Sequence, residues 1–147
     1  MPQCTRDPND WAGKMIAFAL KALDQTLAEY SIDPARQYLT GLSMGGFGSW
    51  RIASLYPDRF AAVVPICGGG DPKAMAEKLT ALPIWVFHGE NDEVVLPAHS
   101  QKMVEAIKAA GGEKIRYTQL PGIGHNSWDP AYNSKEFTDW LFSQSRR

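Results

Sequence analysis

The chain has 147 residues, of which 44% are apolar and 21% are charged, and its formal net charge is −1. These values are typical of a globular domain and exclude a chain that is mostly disordered. The near-neutral charge and the lack of a Lys/Arg cluster argue against a nucleic-acid partner. No apolar run reaches the ~18 residues of a membrane span, so we expect no membrane partner either. The length predicts a single domain over residues 1–147.

The first predicted element is a helix. Asp7 and Pro8 form an N-cap followed by a proline in the first turn, and apolar residues then recur at helical spacing as far as Tyr30. Pro34 ends the helix because a proline disfavours helical backbone at the residue before it. Strands are predicted at residues 37–40, 61–66, 84–87 and 114–120.

A helix is predicted after each strand. The first of these runs through Leu55, the second covers residues 71–79 and the third covers residues 97–110. The last opens at Asn133, which forms a capping box with Glu136. Alternating strands and helices predict an α/β fold, a three-layer α/β/α sandwich with a short, mostly parallel sheet. Ligands bind such sheets at the carboxyl ends of the strands, so the residues that follow each strand are the candidates for a site.

The first strand is followed by the G-x-S-x-G pattern Gly41-Leu42-Ser43-Met44-Gly45. In a strand–turn–helix context this pattern predicts that Ser43 is a nucleophile, exposed on a tight turn that needs glycine on both sides. The Met44 backbone N–H, close to a helix N-terminus, is the predicted oxyanion donor. The alternative is an ordinary glycine-rich turn between a strand and a helix.

The loop after the third strand carries the candidate acid, Asp92. A triad acid must orient the histidine and stabilise its charged form. Glu90 and Glu93 on the same loop are rivals for this role. The alternative is that Asp92 serves only as an Asx-turn residue.

The loop after the fourth strand carries the candidate base, His125, flanked by small residues. The order Ser43, Asp92, His125 matches the triad order of one class of hydrolases. His99 opens a helix and has no comparable position, and we expect His88 to be structural and to fix the acid loop. We expect no metal and no cofactor. The two cysteines, Cys4 and Cys67, do not form a zinc site and are expected to be free thiols, with Cys67 buried at a strand end.

Four segments, residues 38–46, 56–62, 88–92 and 124–128, together resemble the α/β-hydrolase superfamily. More narrowly, the chain is similar to bacterial esterases and predicted peptidases related to feruloyl esterases and polyhydroxyalkanoate depolymerases. The resemblance implies Ser43 as nucleophile, Asp92 as acid and His125 as base, and hydrolysis of carboxylic esters without a cofactor.

The chain departs from this family in one respect. The usual domain opens with several strands and a loop that carries a second oxyanion donor, whereas one helix precedes the strand at residues 37–40 here. The resemblance therefore implies a truncated α/β-hydrolase fold that corresponds to the C-terminal part of a longer hydrolase. Since an open strand edge invites pairing with another chain, we expect a homo-oligomer with its contact near the first helix and residues 37–40.

The leading functional hypothesis is an esterase acting on a small-molecule ester with a short acyl chain. Trp128 and Phe47 are expected to form an apolar wall for the substrate, and Trp50 is a third candidate that core packing explains equally well. Two alternatives remain open: a serine peptidase, and a catalytically weak half-domain that acts mainly by associating with a partner chain.

Overall fold

The computed structural model describes residues 14–146, in which four strands form one parallel sheet with the spatial order β1-β2-β3-β4. The strands are β1 (Tyr38–Leu42), β2 (Ala62–Ile66), β3 (Ile84–Gly89) and β4 (Ile115–Leu120). The helices are α1 (Lys14–Glu29), α2 (Met44–Leu55), α3 (Pro72–Met75), α4 (Ala98–Ala109), α5 (Trp128–Tyr132) and α6 (Lys135–Ser143). The predicted α/β class is confirmed, and every strand pair in the described range is parallel.

The sheet lies between two layers of helices. Successive right-handed crossovers in one direction place the connecting helices α2, α3 and α4 on the same face. That face holds the larger core cluster, to which α1 contributes Ile16 and Leu20. The opposite face is covered by α5 and α6 through Ala131, Phe137 and Leu141. β2 and β3 are buried along their whole length, as their continuous apolar sequences predict.

Several predicted boundaries differ from the structure. The predicted helix over residues 71–79 is divided into α3 and a 3₁₀ turn at Ala76–Leu79. α6 is capped by Ser134 and not by Asn133, since the Ser134 hydroxyl accepts the Phe137 N–H at 3.2 Å. Asn133 instead follows α5, a short helix that the sequence analysis did not predict. The predicted start of the first helix at Asp7 and Pro8 lies outside the described residues.

The two edges of the sheet are β1 and β4 within residues 14–146. β1 pairs with β2 alone, and Leu42 at its end is 38% exposed. The nucleophile candidate therefore follows an edge strand, whereas the acid candidate follows an interior one. No helix in the described range is both long and apolar enough to cross a membrane.

Candidate active site

Ser43 occupies a strained turn between β1 and α2. Its φ of +51° lies in a region that L-residues other than glycine seldom adopt, and α2 begins at the next residue. The Ser43 N–H donates to the Ile66 carbonyl at 2.9 Å and lies 3.2 Å from Cys67 Sγ. Such strain persists only where the surroundings fix it, and here the end of β2 provides that support.

Close backbone packing around this turn explains some of its glycines. A Cβ added at Gly41 would lie 2.3 Å from the Gly45 carbonyl oxygen, and one at Gly46 would lie 2.5 Å from the Ile66 carbonyl oxygen. A Cβ at Gly45 would meet nothing within 4 Å. The expectation that both glycines of the pattern are needed for steric reasons is therefore wrong for Gly45. Gly46, outside the pattern, is the second position where a side chain is excluded.

The turn after β2 packs directly against the turn that carries Ser43. Cys67 also has a positive φ, +41°, and Gly68 approaches Gly46 so closely that an added Cβ would lie 2.5 Å from its carbonyl carbon. The Cys67 thiol is buried and free, as predicted, and burial raises its pKa. Cys4 lies outside the described residues.

Asp92 is buried in the loop after β3. Its Oδ1 accepts the N–H groups of Val94 at 3.0 Å and Val95 at 2.9 Å. Burial acts to raise the pKa of Asp92, but hydrogen bonds from His125 and from these two amides outweigh it, so the pKa lies below its ordinary value of 3.8. Asp92 is therefore held as a carboxylate inside the protein. The Asx-turn geometry is present as well, and it orients the same side chain.

The acid loop and the loop that carries His125 are tied together. The Asn91 N–H donates to the Ile123 carbonyl at 2.8 Å, and the Glu90 carboxylate accepts the Gly122 N–H at 2.9 Å. Gly89 lies so close to the second loop that an added Cβ would be 2.1 Å from the Gly124 carbonyl oxygen. These contacts set the distance between the two loops without involving His125 itself.

His125 lies between the other two candidate residues. Its Nδ1 is 2.8 Å from Asp92 Oδ2, and its Nε2 is 2.9 Å from Ser43 Oγ. The structure thus brings Ser43, His125 and Asp92 into one continuous hydrogen-bonded chain. Nδ1 faces a carboxylate that only accepts, so Nδ1 carries the hydrogen and the unprotonated Nε2 can accept from the serine hydroxyl.

The rival residues lie elsewhere. Glu90 holds the His125 loop through Gly122, and Glu93 is an exposed loop residue. His99 is exposed on α4, where its ring contacts Phe47 with a centroid distance of 6.1 Å. His88 is fully buried behind Asp92, and its Nε2 lies 2.8 Å from the Val95 carbonyl oxygen of the acid loop.

Three of the four candidate substrate contacts lie near Ser43 or His125, and the fourth lies in the core. Met44 is half-buried at the first position of α2, directly after Ser43. Trp128 is half-buried, packs on the core and contacts the His125 ring edge-on at 5.6 Å, and Phe47 lies one helical turn beyond Ser43. Trp50 is completely buried in the core, so it is not part of a substrate wall.

One group of three side chains has the composition of a metal site. Cys67 Sγ, Asp92 and His125 place their ligand-type atoms within 4.8 Å of one another. In a tetrahedral zinc site, bond lengths of about 2.0–2.3 Å separate the ligand atoms by roughly 3.3–3.7 Å. His125 Nδ1 and Asp92 Oδ2 are instead in hydrogen-bond contact at 2.8 Å. A metal bound through these two atoms would have to break that hydrogen bond, so the present geometry fits proton transfer better than metal binding.

Comparison with known proteins identifies the family of this chain. The model of the dienelactone hydrolase family matches residues 9–134, which is most of the chain. The chain belongs to the dienelactone hydrolase family. This family lies within the α/β-hydrolase superfamily, in agreement with the resemblance in the sequence.

Three relatives show the extent of the similarity. A poly(3-hydroxyalkanoate) depolymerase C of Paucimonas lemoignei is 31% identical over 63% of this chain and 30% of its own length. A bifunctional acetylxylan esterase/xylanase of Neocallimastix patriciarum is 34% identical over 63% of this chain and 12% of its own. The crystal structure of a thermostable esterase is 43% identical, with a TM-score of 0.86 over 90% of this chain and 37% of that chain. This family member therefore spans less than two fifths of the length of each of these relatives.

The sequence analysis did not identify the residues that contact His88 and the turn after β2 on the core side of the site. Ser100 on α4 is fully buried, and its Oγ lies 2.7 Å from His88 Nδ1 and 2.9 Å from the Gly68 carbonyl oxygen. The only signal in the sequence was a polar residue at an inward position of an amphipathic helix. Gly46 and Gly68 were visible only as members of glycine-rich runs.

Proposed function

We propose that this hydrolase cleaves carboxylic esters, with Ser43 as nucleophile, His125 as general base and Asp92 as the residue that orients the base. The observation that carries the proposal is the hydrogen-bonded chain, 2.9 Å from Ser43 Oγ to His125 Nε2 and 2.8 Å from His125 Nδ1 to Asp92 Oδ2. Both distances lie within the range that permits proton transfer between positioned groups.

The proposed reaction has two stages. Ser43 Oγ attacks the ester carbonyl carbon while its proton passes to His125 Nε2, and the Met44 N–H at the start of α2 stabilises the oxyanion. His125 then protonates the leaving alcohol, which leaves an acyl group on Ser43. Water, deprotonated by His125, attacks this acyl-enzyme, and the acid product departs with the Ser43 proton restored. Asp92 keeps its charge throughout and stabilises the imidazolium.

An ester substrate with a short acyl chain fits this site better than a long-chain one. Ser43 follows an edge strand of the described range with an exposed Leu42 beside it, and we infer a site that is open on this side and leaves a long chain largely in solvent. The name of one relative, acetylxylan esterase, supports a short acyl group. We expect kcat/KM on p-nitrophenyl esters to be highest for acetate or butyrate and to fall with each added pair of carbons. A maximum at twelve carbons or longer would contradict this specificity.

The test of the reaction is a comparison of three variants with the wild type on p-nitrophenyl acetate. Ser43→Ala should lower kcat on the order of 10⁶-fold, as loss of a serine nucleophile does elsewhere. His125→Ala should have an equal effect, because the two residues act as one unit. His99→Ala is the matched control on an exposed histidine and should retain the wild-type kcat. Substantial turnover by Ser43→Ala would refute the assignment.

The half-domain hypothesis makes a different prediction for the same assay. If the chain acts mainly by pairing with a partner, the wild type hydrolyses the ester no faster than Ser43→Ala does. A wild-type rate well above that of Ser43→Ala excludes this alternative. Mass spectrometry of the quenched reaction should also detect the acyl group on the peptide that contains Ser43.

A further inference from the structure

A second histidine contacts the proposed catalytic acid from the interior of the protein. His88, the penultimate residue of β3, is completely buried, and its Nε2 lies 3.2 Å from Asp92 Oδ2 and 2.8 Å from the Val95 carbonyl oxygen. A polar side chain in a fully buried strand needs partners for its polar atoms. Two of the partners of His88 belong to the acid loop, and one of them is the carboxylate that His125 uses.

The hydrogen bonds to Asp92 leave one position for His88. A carboxylate offers about four lone-pair positions. The Val94 and Val95 amides occupy two of them at Oδ1, and His125 Nδ1 occupies one at Oδ2. The single N–H of His88 Nε2 bonds to the Val95 carbonyl at 2.8 Å, and the same nitrogen lies 3.2 Å from Asp92 Oδ2, beside the fourth position. The carboxylate is thus bonded on both oxygens, and its Oδ2 contacts one histidine on the solvent side and one on the core side.

The protonation of His88 can be deduced from its partners. Nε2 faces only acceptors, the Val95 carbonyl and Asp92, so Nε2 carries a hydrogen. Nδ1 faces Ser100 Oγ at 2.7 Å, and that hydroxyl is also 2.9 Å from the Gly68 carbonyl oxygen. Ser100 has one hydrogen to share between them. In neutral His88 it goes to Nδ1, and in charged His88 the Nδ1–H donates to Ser100 while Ser100 donates to Gly68.

We propose that His88 is a positioning residue for Asp92, which in its neutral form holds the carboxylate toward His125 and in its protonated form draws the carboxylate's charge away from His125. The proposal rests on the function proposed above, in which Asp92 stabilises the imidazolium of His125. A charged His88 competes for that stabilisation at 3.2 Å, since one carboxylate then faces two positive rings. Ser100 makes the switch possible, because its O–H can rotate to donate either to His88 Nδ1 or to the Gly68 carbonyl while the heavy atoms stay in place.

The consequence is a distinctive dependence of the rate on pH. The titratable groups that face His88 are Asp92 and His125, and its other partners, Ser100 and the Val95 carbonyl, are neutral. Burial lowers the pKa of His88 below its ordinary 6.5, and the pKa of Asp92 lies below 3.8. His88 therefore takes up its proton only below pH 6.5, and in that form it draws the Asp92 carboxylate away from the proposed base. We expect the acid limb of log kcat to steepen from a slope of one to a slope of two.

The experiment compares two substitutions of His88 with one of its neighbour. His88→Gln retains an N–H donor of similar reach but does not titrate, whereas His88→Leu fills the space without a donor. His88→Leu should lower kcat about 10- to 100-fold, the loss expected for one hydrogen bond to a charged group, with KM unchanged. His88→Gln should retain most of kcat at pH 8, and its acid limb should keep a slope of one. His99→Gln, on the exposed side of α4, should behave as the wild type in both respects.

A second readout does not depend on activity. The hydrogen between His125 Nδ1 and Asp92 should give a far-downfield proton resonance in NMR spectra, and His88→Leu should shift or broaden it while His99→Gln leaves it unchanged. If the wild type has no esterase activity, the proposed function fails and this resonance still decides the role of His88. A wild-type kcat in His88→Leu, or a slope of two in His88→Gln, overturns the proposal. If His88→Leu does not fold, the pH profile of His88→Gln is the deciding measurement.

Discussion

The two ends of the Ser43–His125–Asp92 chain lie in contrasting surroundings. Asp92 follows an interior strand, is 2% exposed and accepts hydrogen bonds on both carboxylate oxygens. Ser43 follows β1, an edge strand within residues 14–146, lies beside the exposed Leu42, and donates its backbone N–H to the end of β2. The proposed acid is therefore fixed by hydrogen bonds on both carboxylate oxygens, whereas the proposed nucleophile adopts a strained backbone that the end of β2 supports.

This difference indicates which property each side controls. Buried and fully bonded polar groups are costly to disturb, so changes on the acid side should alter the charge and orientation of His125. The nucleophile side depends on close backbone contacts, so changes there should first alter stability. The open edge of β1 should affect association more than chemistry, because it lies outside the hydrogen-bonded chain.

Among the changes that test this comparison, removing the charge of Asp92 should have the largest effect on kcat. Asp92→Asn should lower kcat on the order of 10⁴-fold, because an amide can donate to Nδ1 and so favour the wrong tautomer of His125. Steady-state kinetics on p-nitrophenyl acetate measure it. Glu90→Gln, a matched change on the same loop, keeps an acceptor for the Gly122 N–H and should change kcat little. A greater loss in Glu90→Gln than in Asp92→Asn would reassign the acid.

Alanine substitutions at the two glycines of the G-x-S-x-G pattern, Gly41 and Gly45, should change the stability of the protein in opposite directions. Gly41→Ala places a Cβ against the Gly45 carbonyl oxygen and should lower the free energy of unfolding by roughly 1–3 kcal/mol. Gly45→Ala meets no atom within 4 Å and lies within α2, so it should raise that free energy by about 0.5–1 kcal/mol. Urea denaturation of both variants measures the difference. Equal destabilisation by both would show that the turn is not limited by this contact.

Low pH should lower the free energy of unfolding, because His88 and Asp92 then take up protons. The folded-state pKa of His88 lies below its unfolded value near 6.5, so the unfolded chain binds more protons as the pH falls from about 6.5. Its contribution to stability is complete above 6.5 and declines below it, and the Asp92 contribution follows below about 3.8. The urea midpoint should therefore fall between pH 7 and pH 5. His88→Gln should flatten this decline, and an equally steep decline in that variant would assign it to other groups.

The smallest effect on chemistry is expected from the β1 edge. We propose that the chain self-associates along this edge, because within residues 14–146 β1 pairs with β2 alone and Leu42 exposes apolar surface beside the other side of the strand. Light scattering at micromolar concentration should show a mass above that of one chain. Leu42→Lys should reduce the association, whereas Leu55→Lys, at an exposed leucine on α2, should not. A monodisperse wild-type monomer would refute the proposal.

The order of elements was predictable because each depends on neighbours in sequence. The apolar runs of β2 and β3 and the glycine-rich turn after β1 predicted the parallel sheet, and the carboxyl ends of its strands predicted where Ser43, Asp92 and His125 would be found. The cap of α6 was misplaced by one residue. Asn133 and Ser134 are both good capping residues, and the choice between them depends on α5, which ends at Tyr132.

The sequence by itself determined the chemical types at the strand ends, their order along the chain and the fold class. The sequence already favoured His125 as the base and His88 as a structural residue, but only the tertiary structure decided that both rings contact the same carboxylate oxygen of Asp92. It also decided that Gly46, not Gly45, is the second glycine that permits close packing at the turn. The physical reason is the same in each case. Contacts within a few ångströms between separate loops depend on how strands lie side by side, and no local pattern in the sequence encodes that distance.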